Sequence, residues 1–159
     1  MTIAGRVSAI GNLDHRQAMR PKAYLGIKYY PDNRNRQEIE SHSAIIEKSG
    51  FDAFVVVRDI EAWGEIKLSP EELMRSSFAH LKESSICILE CSVKGVGLGV
   101  EAGYAHAHAI PVLILSRKGV EVSTTLKGLA SSVEYYDQIS DLEAILNQYW
   151  QKIMCSNPI

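Results

Sequence analysis

Apolar residues recur along this chain with two spacings, and the alternation between them lays out the fold. Runs that are apolar at nearly every position predict strands buried on both faces: AYLGIKY (23–29), AFVVV (53–57), SICILE (85–90), PVLIL (111–115) and the weaker VEYY (133–136). Helical spacing fills the intervals. Residues 36–49 carry Ile39, His42, Ile45 and Ile46 on one side, with Asn33 or Asn35 placed to cap the start and Gly50 to end it. Ser69-Pro70-Glu71-Glu72 is a helix start with a capping box, continued by Met74, Phe78 and Leu81. GVGLG leads into a helix from about 98 to 109, and residues 123–129 predict a short one. Ser140 and Glu143 predict a second capping box, before a stripe of Leu142, Ile145, Leu146 and Tyr149.

Strands that alternate with helices and are apolar throughout require a parallel sheet covered on both faces. Five of them predict an α/β protein with a doubly wound, flavodoxin-like sheet of order 2-1-3-4-5. Residues 1–21 lack periodicity and read as a leader arm, leaving 22–159 as one domain. Of the 159 residues, 46% are apolar and 23% charged, with a net charge of −2. That balance gives no reason to expect a nucleic-acid polymer or a membrane surface as partner. No stretch approaches the roughly 18 apolar residues of a membrane span, and the N-terminal segment does not read as a signal peptide. Cys87, Cys91 and Cys155 form no CxxC pair, so buried thiols and a reducing, cytosolic compartment are expected.

In a sheet of this order, ligands bind beyond the carboxyl ends of the strands, where strand order reverses between the first and third. That selects the loops 27–36 and 91–99, with 58–68 beside them. The second opens GVGLGVEAGYAHAHAIP (95–111), in which a lone carboxylate, Glu101, stands among small apolar residues. Gly95, Gly97 and Gly99 bring bare backbone close to a ligand, and their N–H groups at a helix start suit an anion such as phosphate. The plain alternative is a tight turn, with Glu101 in the first helical turn complementing the dipole. Gly97-Leu98-Gly99 with Ala102 also fits GxGxxA, but after the third strand instead of the first.

YLGIKYYPDNRNR, RDIEAWGE, SSICILECSVKGVGLGVEAGYAHAHAIPVLIL and STTLKG together resemble the nucleoside 2-deoxyribosyltransferase superfamily, and within it the 2′-deoxynucleoside 5′-phosphate N-hydrolase branch. The resemblance spans most of residues 22–150. It implies that Glu101 attacks the anomeric carbon of a deoxyribose, giving a glycosyl-enzyme that water or a second base resolves. It implies that Tyr24 holds that carboxylate and that the amides around Gly95 to Gly97 hold a phosphate. It also implies that Ser123 reaches the site of a neighbouring subunit, making the protein a homodimer or higher homo-oligomer. The partner is then a small nucleoside or nucleotide, with no metal or redox cofactor.

The chain departs from the family pattern twice. Ser77 stands at the position of an Asp that serves the leaving base, which leaves Asp59, Glu61 and Glu90 as candidate acids. Gly95 stands at the position of a phosphate-binding serine, which turns attention to Lys28, Arg34, Arg36 and Lys127 as anion ligands. Gly26, beside Tyr24 on the first strand, is grouped with the substrate-binding residues. Asp59, after a strand end, is a candidate for a sugar hydroxyl. Tyr29 and Trp63 suit either base stacking or packing. His106 and His108, two apart on a helix, point away from each other and make no metal pair.

Overall fold

The computed structural model describes residues 20–156, so the leader arm lies almost wholly outside them. Five strands, β1 (Lys22–Ile27), β2 (Asp52–Phe54), β3 (Ile86–Glu90), β4 (Val112–Arg117) and β5 (Ser132–Tyr136), form one parallel sheet in the order β2-β1-β3-β4-β5. Six helices connect and follow them: α1 (Arg36–Lys48), α2 (Val56–Asp59), α3 (Pro70–Lys82), α4 (Val96–Ala107), α5 (Thr124–Leu129) and α6 (Leu142–Ser156). This is the flavodoxin-like α/β architecture that the sequence predicts. None of the helices is long and apolar enough to cross a membrane.

Because side chains alternate along a strand, each strand feeds two cores. Ala23 and Leu25 of β1 join Ile86, Ile88, Leu113 and Leu115 on the face covered by α1 and α6. Tyr24 points the other way, into a cluster with Cys87, Leu89, Leu98, Ala102 and Ile114 beneath α3 and α4. The site described below belongs to this second face.

The capping box of α3 is formed in both directions: Ser69 Oγ accepts the Glu72 N–H at 3.2 Å, and Glu72 accepts the Ser69 N–H at 2.9 Å. Ser69→Ala is therefore expected to cost about 1 kcal/mol, read from the midpoint of urea unfolding.

Three local readings are corrected. The second strand stops at Phe54 because Asp59 Oδ2 accepts the Val55 N–H at 2.8 Å and turns the chain into α2, which consumes Val56 and Val57. This local cap outweighs the β-propensity of the valine run. The box before α6 is made by Gln138 and Asp141, not by Ser140 and Glu143, and it opens a 3₁₀ turn over Ile139–Asp141. Finally, α4 begins at Val96, two residues earlier than expected. Glu101 therefore lies in its second turn, and the first turn holds no acid.

Candidate active site

Strand β1 and helix α4 build the centre of the site. Tyr24, fully buried, donates its phenolic hydrogen to Glu101 Oε1 at 2.8 Å. Two residues on, the same face of β1 carries Gly26. A Cβ on Gly26 would overlap Glu101 Oε2 and come within 2.5 Å of Leu89 Cδ2 and 3.3 Å of Leu98 Cδ2. The strand thus offers a donor to one carboxyl oxygen and a missing side chain to the other. Oε2 has no hydrogen-bond partner among the described residues, yet it is not sealed off. Glu101 lines a cavity of about 160 Å³ with Gly26, Tyr29, Val55 and Glu61 among others.

The early start of α4 changes the electrostatics. A carboxylate in the second turn is displaced from the first-turn N–H groups, where the dipole acts most strongly. Burial dominates instead and pushes the Glu101 carboxyl up to about 7, while the Tyr24 hydroxyl works in the opposite direction by bonding the ionised form. The carboxyl is therefore divided between its two forms near neutral pH. Tyr24, enclosed and facing that carboxylate, is itself shifted far upward and stays a donor. Tyr24→Phe removes the one direct hydrogen bond on the carboxylate, worth roughly 1.5–3 kcal/mol for a charged partner. The Glu101 titration is expected to move to higher pH, a displacement read from the carboxyl resonance of labelled protein.

Ser77 is buried beside Tyr24, and its hydroxyl donates to the Leu73 carbonyl at 2.8 Å. The remaining candidates fall into separate places. Gly95, Gly99 and Ser123 line a larger groove of about 420 Å³ between α4 and α5, together with Cys91, Lys94 and Leu126. Glu101 is not part of it. Ser123 Oγ caps α5 by accepting the Leu126 N–H at 3.3 Å. Beyond the helix's own neighbouring backbone and the flanking residues, no atom of the described residues lies within 4 Å of where a Cβ would stand on Gly97 or Gly99, so packing does not demand glycine there.

Lys28 lines a third cavity, of about 310 Å³, with Glu90, Ser92 and Arg117 at the ends of β1, β3 and β4. Arg34 stacks on Tyr30, its guanidinium carbon 3.7 Å from the ring centroid, and Arg36 pairs with Glu40 and lies over Trp63. Asp59 is committed within its own turn, to the Val55 N–H and to Arg58. His106 and His108 face different carbonyls, of Leu129 and Tyr104. The Cys91 thiol, buried next to Glu90, is pushed up to about 12 and is inert as a nucleophile.

Two features were not foreseen. Ala62 and Trp63 both have positive φ, 45° and 59°, although neither is glycine. Each such residue costs on the order of 1–3 kcal/mol and persists only where its surroundings fix it. Tyr29 fixes it here, donating toward Trp63 O (3.2 Å) and Asn33 Oδ1 (3.0 Å). The second feature is a buried chain in which Tyr136 donates to Glu90 Oε1 at 2.9 Å, with His42 Nε2 3.2 Å from the same phenol. Its signal in sequence was a histidine on the apolar stripe of α1 and an acid ending an apolar strand. Nothing local in the sequence pairs them.

No family model and no curated protein matches the sequence. Solved structures do match the fold. A 2-deoxyribosyltransferase from Bacillus psychrosaccharolyticus superposes with a TM-score of 0.63 at 17% identity, over 79% of this chain and 95% of that one. The CMP N-glycosidase BcmB of Clostridium botulinum gives 0.60 at 20% identity, over 80% and 98%. A conserved protein of Enterococcus faecalis gives 0.66 at 12% identity, over 82% and 99%. At these identities the likeness establishes one thing: this chain folds as they do, around a five-stranded parallel sheet, along almost their whole length.

Proposed function

We propose that this protein cleaves the N-glycosidic bond of nucleosides or nucleoside 5′-monophosphates, by hydrolysis or by transfer of the (deoxy)ribosyl group, with Glu101 as nucleophile. The observation that carries the reading is the asymmetry of the Glu101 carboxyl. One oxygen is clasped by Tyr24; the other has no partner among the described residues and lies over the bare backbone of Gly26, with which Glu101 lines a cavity. A carboxylate held this way has one lone-pair face directed outward and little freedom to rotate, which is the preparation that attack on C1′ requires. The fold likeness to a 2-deoxyribosyltransferase and a CMP N-glycosidase supports the same chemistry.

In this reading the ionised Glu101 adds to C1′ as the base departs, and the resulting ester is opened by water or by a second base. The amides of residues 95–99, at the start of α4, and Lys28 hold the 5′ end of the substrate. Ser123, which lines a different cavity from Glu101 within one chain, serves in this reading the site of a second copy, and the working form is a homo-oligomer. Incubation with a panel of nucleosides and monophosphates is expected to release free base. Addition of a second base separates transfer from hydrolysis. If no member of the panel yields free base or an exchanged nucleoside, the enzymatic reading falls.

A second reading rests on Ser77. The resemblance places an Asp there, and the hydroxyl that replaces it is spent on the Leu73 carbonyl. A nucleotide-binding module without turnover would fit that loss. Calorimetric titration distinguishes the two, because such a module binds the monophosphates and leaves them intact.

A further inference from the structure

A nucleophile alone does not expel a nucleobase, because the electron pair of the broken C1′–N bond needs a proton. Three acidic side chains follow the strand ends near the site. Both Asp59 oxygens are bound, Oδ2 by the Val55 N–H and Arg58, Oδ1 by Arg58. Glu90 accepts from Tyr136 and Ser92 and lines a cavity of which Glu101 is not part. Of the three, Glu61 shares a cavity with Glu101, and its carboxyl has no hydrogen-bond or ion-pair partner among the described residues.

The chain around Glu61 is also unusually fixed for a loop. Its N–H bonds Val56 O at 3.1 Å, and its carbonyl accepts from Gly64 (2.9 Å) and Ile66 (3.0 Å). The next two residues are the left-handed Ala62 and Trp63, clamped by Tyr29 and covered by Arg36. Strain held in place beside a cavity is the pattern found where a side chain must be presented at a set position.

We propose that Glu61 is the proton donor to the departing base, a proposal that rests on Glu101 acting as nucleophile. Glu101 forms its ester bond to C1′ while the C1′–N bond breaks and its electron pair passes to the base. The Glu61 proton goes to that base, which leaves neutral, and Glu61 becomes a carboxylate. It then takes a proton from the water whose oxygen attacks C1′, the ester opens, and both side chains return to their starting forms.

The test compares two leaving groups. An ordinary purine deoxynucleoside monophosphate needs the proton; its 7-methylated counterpart already carries a positive charge on the base and departs without one. Glu61→Gln is expected to slow base release from the ordinary substrate by about 10²- to 10⁴-fold, and from the methylated one by less than about fivefold. Glu101→Ala is expected to lose both. Thermal melting of Glu61→Gln, a half-buried position, confirms that the variant is folded. Unchanged release from the ordinary substrate, or equal losses on the two substrates, would overturn the role of Glu61 while leaving Glu101 in place. Base release by Glu101→Ala equal to wild type, or by no protein at all, would remove the nucleophile and this proposal with it.

Discussion

Glu101→Gln is expected to abolish base release and, at the same time, to make the protein more stable above neutral pH. The two effects share one cause. A carboxyl whose folded value is about 7 and whose ordinary value is 4.5 binds its proton more tightly in the folded state. Its contribution to stability is therefore complete below pH 4.5 and is lost as the pH rises through 7. Converted at 1.36 kcal/mol per unit, with allowance for the solvent that Glu101 keeps at its cavity, the loss is about 2–3 kcal/mol. Glutamine does not ionise, has nearly the same shape, and still offers an oxygen to Tyr24. At pH 8.5 the variant should melt roughly 5 to 10 °C above wild type, and at pH 4 the two should coincide. A pair of melting curves checks the first half of the expectation and an assay of free base the second. Equal melting temperatures at pH 8.5 would mean that the carboxylate is solvated and the enclosure described above is wrong. For wild type, the ionised fraction of Glu101 is expected to climb between about pH 6 and 8, which the carboxyl resonance of labelled protein reads.

The second large effect is expected from a single methyl group. Gly26→Ala places a Cβ into Glu101 Oε2 and Leu89 Cδ2 at once, and Leu89 is fully buried. Overpacking of this kind costs about 1–3 kcal/mol in stability. The carboxyl is the softer of the two neighbours, so it yields, and a displacement of about 1 Å is worth about 10²-fold in rate. Urea unfolding together with the base-release assay reads both. Gly99→Ala is the contrasting change. It lies inside α4 with open space around it, so the substitution is expected to stabilise by about 0.5–1 kcal/mol from helix propensity alone. Its cost, in the cradle reading, appears as a raised KM.

The architecture was legible because every strand announced itself twice, by an unbroken apolar run and by the helical spacing on either side. Where it misled, a short-range polar bond had overruled an average tendency: the Asp59 carboxylate turned three valines out of a strand, and Gln138 claimed the cap assigned to Ser140. For the candidate site, the sequence carried part of which residues meet and less of where they open. Tyr24 and Glu101, 77 residues apart, do meet, and Gly26 lies against them. Yet Lys28, Asp59 and Ser123 open elsewhere, and the titration of Glu101 is set first by its burial. Sequence spacing carries which face a side chain takes, but not how deeply it sinks or which oxygen remains free.

Strand β1 is hydrogen-bonded on both sides, Tyr24 opposite Phe54 and Cys87, Gly26 opposite Leu89. Sliding it by one step would turn its odd-numbered apolar side chains to the face where the phenol of Tyr24 and the gap at Gly26 now meet Glu101, setting an isobutyl group against the carboxylate. In the proposed function, catalytic competence is then a readout of alignment in the middle of the sheet. A chain assembled one notch out of place could keep its helices and its compactness and still be silent toward substrate.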